Sequence, residues 1–429
     1  MLKYIYKILS ICFLCLLIAC DQPAIEPQNS DDDTMTDTSN STDSNQDTVS
    51  FEIVNLKLTT PQLVASNNQF GFELFSHLFA QSNGKQNIFI SPMSVSMALT
   101  MAYNGAAGST KTAIETTLKH SGLSNTSLNQ TNQYLLNALV NADDDVLLTI
   151  ANAIFYEQNF SVLQSFIDTN STYLDASVHP LDFMNPESSE YINQWVSEKT
   201  NGLIPKMIEG RIPADAVMYL INALYFKGIW KYQFDEANTV ERAFFVDNET
   251  IINVPTMHIF EIFRYAYNDI AEIVELPYGN SSYSMFIVLP HINNKTNEFE
   301  FSDVVWKQWR SSLEKQQLHL ALPKFSFEYA TSLRSILSDM GMSEAFSSSV
   351  ADFSNINEFQ KVSISDVMHK TFVEVSEVGT EAAAATSVEV FVTSVPKACT
   401  VNRPFLFVIQ EKNTESIVFI GHVFNPLQK

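Results

Sequence analysis

Beyond its first twenty residues, the chain is almost without cysteine. Only Cys399, one of four cysteines in 429 residues, lies in the body of the protein. A single cysteine excludes an internal disulfide framework there. Its expected role is that of a small, partly buried apolar side chain, because the sequence assigns it no histidine partner that would make it a nucleophile.

Basic residues are also scarce. The chain has 25 Lys and Arg against 48 Asp and Glu, which gives a net charge of -23. A surface this acidic excludes a general basic field, so we expect neither nucleic acid nor heparin as a partner. No basic helix stands out, since Lys111 and Lys119 are isolated. The simplest role of the acidic charge is solubility.

The usual signatures of catalytic sites are missing as well. The sequence has no G-x-S-x-G elbow and no H-E-x-x-H helix, and its eight histidines lack the spacing of metal ligands. Residues 105–112 (GAAGSTKT) faintly resemble a phosphate-binding loop, but a turn between helices is the simpler explanation because the Lys is not adjacent to the second Gly. We therefore predict a protein that is not an enzyme and uses no metal or cofactor.

The first residues predict export. Lys3 and Lys7 precede an apolar stretch that is too short to span a bilayer comfortably, so residues 1–19 are interpreted as a signal peptide. The motif LIAC at 17–20 resembles a bacterial lipobox, which implies cleavage before Cys20 and its lipidation. The alternative is an ordinary secretory signal followed by a chance cysteine. We expect a protein anchored by lipid to the cell envelope, with the outer membrane or cell surface as candidate locations.

A polar segment separates this signal from a large domain. Residues 21–50 contain eight acidic residues, no Lys or Arg and few large apolar side chains. Such a composition cannot offset the entropy of ordering, so residues 20–50 are predicted to be a disordered linker that carries the lipidated Cys20. Residues 51–429 show no further linker or repeat and are predicted to form one domain.

Elements of both kinds are expected in this domain. Ser91 and Pro92 are typical of a helix start, and Asn104-Gly105 of its end. A further helix is predicted around 191–199. Apolar runs rich in branched and aromatic residues predict strands over 217–226, 283–289, 318–322, 362–368, 405–409 and 417–423. Helices dominate early and strands late, which favours an α+β fold.

The segment 380–391 alternates in a way that suits a strand. One set of alternate positions is small or β-branched and uncharged: Thr380, Ala382, Ala384, Thr386, Val388 and Val390. Glu381 and Glu389 fall in the other set, so a strand would keep both carboxylates on one face. A short helix over the alanines is the alternative, and the β-branched second half disfavours it.

At this segment the chain resembles the serpin family. Residues 377–386 (EVGTEAAAAT) are similar to the hinge of an inhibitory reactive-centre loop. Further motifs appear in family order: NIFISPMS at 87–94, NQWV at 193–196, TNG at 200–202, NALYFKGIW at 222–230, HK at 369–370, VNRPF at 401–405 and GHVFNP at 421–426. The resemblance covers about residues 60–429. It implies a fold of three β-sheets and about nine helices with an exposed reactive-centre loop.

The resemblance also implies a mechanism and site residues. A serine protease cleaves the loop and forms an acyl-enzyme, and the cut loop then enters the central sheet as a new strand and traps the protease. The hinge residues are Glu377, Gly379, Thr380, Glu381, Ala382, Ala383, Ala384 and Ala385. Counting from Gly379 places the reactive bond at Thr393-Ser394, with Phe391 and Val392 as alternative specificity residues.

Targets follow from the residues near that bond. No Arg or Lys lies between residues 380 and 396, so elastase-like, chymotrypsin-like or subtilisin-like proteases are expected rather than trypsin-like ones. Inhibition of papain-like cysteine proteases stays open. The protein is expected to act as a monomer. The competing functions are a non-inhibitory surface binding protein on the same fold and a hydrolytic lipoprotein, and the uncharged hinge favours the inhibitor.

Three further expectations come from the resemblance. Ser91, Ser94, Asn222 and His369 match a polar cluster that gates the opening of the central sheet, although buried polar groups of any protein are hydrogen-bonded. Trp230 matches a tryptophan near the point of loop entry, and a core aromatic is the alternative. The family often pairs the hinge Glu with a Lys near the position of His258, so Glu377 is expected to face at most a histidine.

Overall fold

The computed structural model describes residues 44–291, 300–379 and 397–428, with side chains from residue 56 onward. The chain divides into two compact units, Met1–Thr48 and Val49–Lys429. The second unit holds all of the sheets described below. The predicted boundaries within residues 1–50 stay predictions, since most of that segment lies outside the described residues.

Helices are concentrated in the first half of the chain. The described residues form α1 (Ser44–Gln81), α2 (Pro92–Gly105), α3 (Gly108–Thr117), α4 (Asn125–Val140), α5 (Gln164–Leu174), α6 (Ser188–Lys199), α7 (Asp303–Ser311) and α8 (Arg334–Leu337). Shorter helical segments of the 3-10 or π type are Glu236–Asn238, Ser338–Met342 and Ser343–Phe346.

Strands dominate the second half. They are β1 (Ile88–Ile90), β2 (Val146–Glu157), β3 (Ala176–Leu181), β4 (Met218–Gly228), β5 (Val240–Phe245), β6 (Ile251–Tyr267), β7 (Ala271–Pro277), β8 (Tyr283–Pro290), β9 (Glu314–Pro323), β10 (Phe325–Ser332), β11 (Asp366–Val375), β12 (Lys397–Thr400), β13 (Phe405–Glu411) and β14 (Ile417–Val423).

Helix α2 forms as its sequence predicts. The Ser91 side chain accepts a hydrogen bond from the Ser94 backbone N–H, and Pro92 occupies the first turn, where it loses no helical hydrogen bond. The helix ends at Gly105, as predicted. Its residues are buried almost throughout, so α2 forms part of the core rather than a surface helix.

Two hydrogen-bonded sheets contain all the described strands. The five-stranded sheet has the order β10-β11-β4-β2-β3, and the larger sheet has the order β1-β14-β13-β8-β7-β6-β9-β12, with β5 paired to β6. Three sheets were expected. The larger sheet is continuous because the 17-residue strand β6 pairs with β5 over its first six residues, with β9 from Thr256 to Tyr265, and with β7 over its last four residues.

One strand prediction was misplaced. Strand β11 covers Asp366–Val375, whereas the apolar pattern predicted 362–368. Val362 and Ile364 are buried without belonging to a strand, and the Ile364 backbone N–H donates to the Ala345 carbonyl. The apolar pattern at residues 362–364 therefore reflects buried side chains and not a strand. The other five predicted strands lie within or overlap β4, β8, β9, β13 and β14.

Aromatic rings join the two sheets. Phe419 of β14 stacks on Phe89 of β1 with ring centroids 4.5 Å apart, and it meets Phe226 of β4 edge to face at 5.9 Å. All three side chains are at least 98% buried. These contacts hold the five-stranded sheet against the larger one, because Phe226 and the other two rings belong to different sheets.

No helix among residues 44–291, 300–379 and 397–428 combines the length and apolar character needed to cross a membrane.

We predict that Phe419→Ala lowers the free energy of unfolding by about 3–5 kcal/mol, because it removes a buried ring and leaves a cavity between the sheets. Urea unfolding followed by circular dichroism measures the change. The exposed Phe359, which is 93% accessible, provides a matched control, and Phe359→Ala should change stability by less than about 0.5 kcal/mol. Equal effects of the two substitutions would contradict the proposed packing.

Candidate functional site

The centre of the five-stranded sheet is a parallel seam between β4 and β11. The two strands pair from Asp366↔Tyr219 to Phe372↔Tyr225. The chain leaves β11 at Val375 and returns at Lys397 as β12 of the other sheet. A segment that turned back after β11 and entered the seam would run antiparallel to both neighbours. It could therefore form hydrogen-bonded ladders on both of its sides.

Side chains close this seam on the face that meets α2. His369 lies directly opposite Asn222 in the register, and its Nδ1 is 2.8 Å from the Asn222 Oδ1. The Asn222 Nδ2 donates to the Ser94 Oγ, and the Ser91 backbone N–H donates to the His369 Nε2 at 3.1 Å. The structure thus brings together all four residues of the expected gating cluster, and each is fully buried.

The geometry defines the protonation state of His369. Because its Nε2 accepts from the Ser91 N–H, the proton lies on Nδ1 and is donated to the Asn222 carbonyl oxygen. Burial lowers the pKa of His369 to about 3, so the imidazole is neutral near neutral pH. Protonation would replace the acceptor at Nε2 with a second donor facing the Ser91 N–H, which would break the cluster.

A fifth residue belongs to the cluster and was missed by sequence reasoning. The Asn222 Nδ2 also donates to the Asn152 Oδ1 of β2 at 2.9 Å, and Asn152 is 2% exposed. The sequence signal that could have identified Asn152 is its amide side chain among the mostly apolar residues of β2. Its role depends on the β2–β4 register, which pairs Asn152 with Asn222.

The end of the seam nearest the loop is closed by backbone. Gly379 forms an isolated antiparallel bridge with Ile229, and the Trp230 N–H donates to the Val378 carbonyl at 2.8 Å. A Cβ on Gly379 would lie 2.2 Å from the Gly228 carbonyl oxygen, and the φ of Gly379 is +134°. Only glycine fits this position without displacement of β4.

Trp230 lies at this end, as expected. Its ring stacks on Tyr278 at 4.3 Å, and its Nε1 donates to the Ser376 carbonyl at 2.9 Å. The indole is 2% exposed. It therefore connects the larger sheet with the last residues before the loop, so the role in loop entry and the alternative of a core aromatic are both compatible with its contacts.

The expectation for Glu377 was wrong. The Lys324 Nζ lies 2.6 Å from the Glu377 Oε2, and the Thr239 hydroxyl donates to the Glu377 Oε1 at 2.7 Å. Burial opposes ionisation of Glu377, but the hydrogen bonds from Lys324 and Thr239 outweigh it, and its pKa lies below the ordinary value. Lys324 was overlooked because the β10–β11 register, which places it beside residue 377, is not readable from the sequence.

The remaining site predictions lie outside the described residues. They are Cys20, the hinge residues Thr380, Glu381, Ala382, Ala383, Ala384 and Ala385, the alternative residues Phe391 and Val392, and the reactive bond Thr393-Ser394. In the part of the chain that is described, no group of three or more His, Cys, Asp or Glu side chains could hold a metal ion.

Comparison with known families agrees with this arrangement. A family model described as "Serpin (serine protease inhibitor)" matches residues 65–426, which is most of the chain. The chain belongs to the serpin family. The family is one of protease inhibitors and not of enzymes, and the α+β serpin fold predicted from the sequence is confirmed.

Relatives from distant organisms are similar over most of the chain. An uncharacterized serpin-like protein of Methanosarcina acetivorans is 35% identical over 85% of this chain and 86% of its own length. Human Serpin B10 is 34% identical over 85% of this chain and 99% of its own length. The thermophilic serpin Tengpin, whose structure was solved in the native state, is 32% identical in sequence. The match covers 85% of this chain and 94% of the Tengpin chain, with a TM-score of 0.78.

The gating cluster predicts a pH dependence of stability. His369 stays neutral in the folded protein down to about pH 3, whereas the unfolded chain binds a proton below about pH 6.5. Its contribution to stability is therefore fully present above about pH 6.5 and decreases as the pH falls toward 3, by about 1.4 kcal/mol per pH unit at most.

We expect His369→Gln to lower stability at about pH 7 and to reduce the loss of stability between about pH 6 and pH 4. Part of that loss remains, because burial also lowers the pKa of His120 to about 3 and that of His422 to about 4. Urea unfolding over this range gives the slope. The exposed His319 serves as the control, and His319→Gln should leave the wild-type slope unchanged. A wild-type slope in the His369 variant would contradict the assignment.

Proposed function

We propose that this serpin traps serine proteases as a suicide substrate. The observation that carries the proposal is the parallel seam, which offers antiparallel partners on both sides to a segment returning from β11. A protease would cleave residues 380–396, and the freed hinge would then enter between β4 and β11. The serpin supplies no catalytic group, because the free energy comes from new strand pairing and from burial of one face of the hinge.

The composition of the hinge supports entry. The inward set contains Thr380, Ala382 and Ala384, which are small and uncharged. A charge at any of these positions would have to be desolvated inside the sheet, at a cost of several kcal/mol. The charged hinge residue Glu381 belongs to the opposite set, which would face away from the core once the hinge is a strand.

The gating cluster supports the idea of a seam that opens. At the centre of the seam, His369 and Asn222 form a side-chain hydrogen bond across the β4–β11 ladder, and Ser91 and Ser94 at the start of α2 bond to these two side chains. Hydrogen bonds of this kind can be exchanged for those of an incoming strand with little net change in their number. We propose that His369 separates from Asn222 when the hinge enters, while Asn152 stays paired with Asn222 on the β4 side of the seam.

For the reactive bond we propose Thr393-Ser394, with Phe391 and Val392 as alternative specificity residues. Elastase-like, chymotrypsin-like or subtilisin-like proteases are the proposed targets, since the segment 380–396 contains no Arg or Lys. The protein would act as a monomer and without heparin. Papain-like cysteine proteases are a further proposed class of targets, because they also form an acyl-enzyme intermediate, which insertion of the loop could trap.

We propose further that the protein is exported and held at the cell envelope by lipid on Cys20. The supporting observations are the apolar stretch that ends in LIAC at 17–20 and the acidic segment after it. Residues 21–50 would then act as a spacer between the membrane and the inhibitory domain.

The first test is to mix the protein with an elastase-like, a chymotrypsin-like and a trypsin-like protease and to run a denaturing gel. We expect a complex that resists denaturation with the first or second protease, and mass spectrometry should place the cut after Thr393, Phe391 or Val392. Cleavage without a complex, with the protease still active, would favour the non-inhibitory binding protein instead.

The alternation of the hinge gives a sharper test. We predict that Ala382→Lys converts the inhibitor into a substrate and lowers the yield of complex at least tenfold, because the charge would face the core. Ala383→Lys is the matched control, with the same change one position along on the opposite face, and it should still form the complex. An equal loss in both variants would contradict strand-like entry of the hinge.

A further inference from the structure

The far end of the seam, away from the start of the loop, is closed by one serine. The β4–β11 ladder ends at Asp366↔Tyr219, and Ser365 comes directly before it in the chain. The Val217 and Met218 backbone N–H groups donate to the Ser365 Oγ at 2.8 and 3.3 Å, and the Ser365 N–H donates to the Met218 carbonyl at 2.9 Å. We call these three hydrogen bonds, which cross the seam, the distal latch.

Ser365 is itself held from the β11 side of the seam. Arg334 at the start of α8 donates from its Nη1 to the Ser365 carbonyl at 2.6 Å and from its Nη2 to the Phe346 carbonyl at 3.1 Å. The guanidinium also lies over the Phe346 ring, with the Arg334 Cζ 5.6 Å from the ring centroid. The Ser365 backbone is therefore fixed on one side of the seam, while its hydroxyl bonds to the start of β4 on the other.

The ordinary need to satisfy the end of a strand does not account for all of these contacts. Backbone N–H groups at a strand end need acceptors, which water or a neighbouring carbonyl can supply. In two of the three bonds the acceptor is instead a side chain, which can leave both N–H groups by rotation about one bond while the backbone of β11 stays in place. The distal latch thus closes the far end of the seam with bonds that a new strand can replace.

The turn at residues 376–379 sets the register that an entering strand would have. The Ser376 N–H donates to the Gly379 carbonyl at 2.9 Å, and the Gly379 N–H donates to the Ser376 carbonyl at 3.3 Å. These two bonds pair the residues as in a hairpin, and the numbers of paired residues keep the same sum along an antiparallel pair. Continuation of this register would place Val390 opposite Ser365.

In this register the distal latch is the last closure that the cut loop meets. Val390 lies three residues before the proposed cut after Thr393 and one residue before a cut after Phe391. The strand freed by either cut is long enough to reach the latch, and it does so after it has passed the gating cluster at the centre of the seam. The protease is still joined to the strand by its acyl bond at this point, so a delay here gives it time to complete hydrolysis.

We infer that the distal latch is the last barrier to loop entry and that Ser365 sets how quickly entry is completed after cleavage. This inference rests on the proposed function and names a control point within it. Ser365 and Arg334 are positioning residues, since they touch neither the protease nor the reactive bond. A weaker latch speeds completion and favours the trapped complex, whereas a stronger latch favours hydrolysis and release of the protease.

The test compares Ser365→Ala with the wild type in two measurements on the full-length protein. Hydrogen exchange without protease, followed by mass spectrometry, reports how often the Val217 and Met218 N–H groups are released. Loss of protease activity at rising inhibitor concentration gives a limiting rate and a half-saturating concentration. We expect the exchange and the limiting rate to rise about fivefold, as for one net hydrogen bond. The half-saturating concentration should not change, because the latch acts only after the loop is captured and cut.

Three further variants keep the experiment decisive. Ser365→Thr retains the hydroxyl and should give wild-type values in both measurements. Ser332→Ala is the matched control, because the Ser332 Oγ donates to the Asp366 Oδ1 at 2.6 Å, beside Ser365 but on the β10 side, and its loss leaves the seam unchanged. Arg334→Ala removes the donor behind Ser365 and should act in the same direction with a smaller effect, which provides the test if Ser365→Ala fails to fold.

The results separate this inference from the proposed function. Unchanged exchange in Ser365→Ala and Arg334→Ala would overturn the latch, and so would faster exchange with an unchanged limiting rate. Equal effects of Ser332→Ala and Ser365→Ala would show a general loosening at this end of β11 and would also overturn it. Failure of the proposed function would instead appear as absence of the complex in the wild type and in Ser332→Ala, while the exchange at residues 217–218 still depends on Ser365.

Discussion

The parallel seam between β4 and β11 is the constraint on which the rest of the site depends. Two strands that run in the same direction cannot be joined by a hairpin, but a reversing segment placed between them completes two antiparallel ladders. In the closed state β4 and β11 pair with each other from Asp366↔Tyr219 to Phe372↔Tyr225, with the His369–Asn222 hydrogen bond at the centre and the Gly379–Ile229 bridge at the end. Entry of such a segment would replace this one parallel ladder with two antiparallel ladders.

Much of the fold could be predicted from the sequence, because its signals are local. The cap of α2 needs only Ser91 and Pro92, and the strands β4, β8, β13 and β14 are mostly apolar because both of their faces are covered. The same apolar pattern led to a wrong prediction for the start of β11. Val362 and Ile364 are as buried as strand residues, yet the Ile364 backbone N–H donates to the Ala345 carbonyl outside any strand, and burial does not report hydrogen-bond partners.

The site was predictable only where family motifs cover it. Ser91, Ser94, Asn222 and His369 lie in such motifs, and the structure brings them together. Asn152 and Lys324 were missed, because their partners lie 70 and 53 residues away in the chain. Contacts of this kind depend on strand register, which the order of residues does not reveal. His258 was considered a partner for Glu377 although β6 places it opposite Ala321 in the other sheet.

The two ends of residues 380–396 are attached to different sheets in different ways. At the first end, Glu377 is held by Lys324 and Thr239 and is itself part of the chain that must move into the seam. At the second end, β12 pairs with β9 and buries Cys399 completely, while its other side chains are exposed. Strengthening the first attachment would slow loop entry before and after cleavage alike, because Glu377 belongs to the chain that must move.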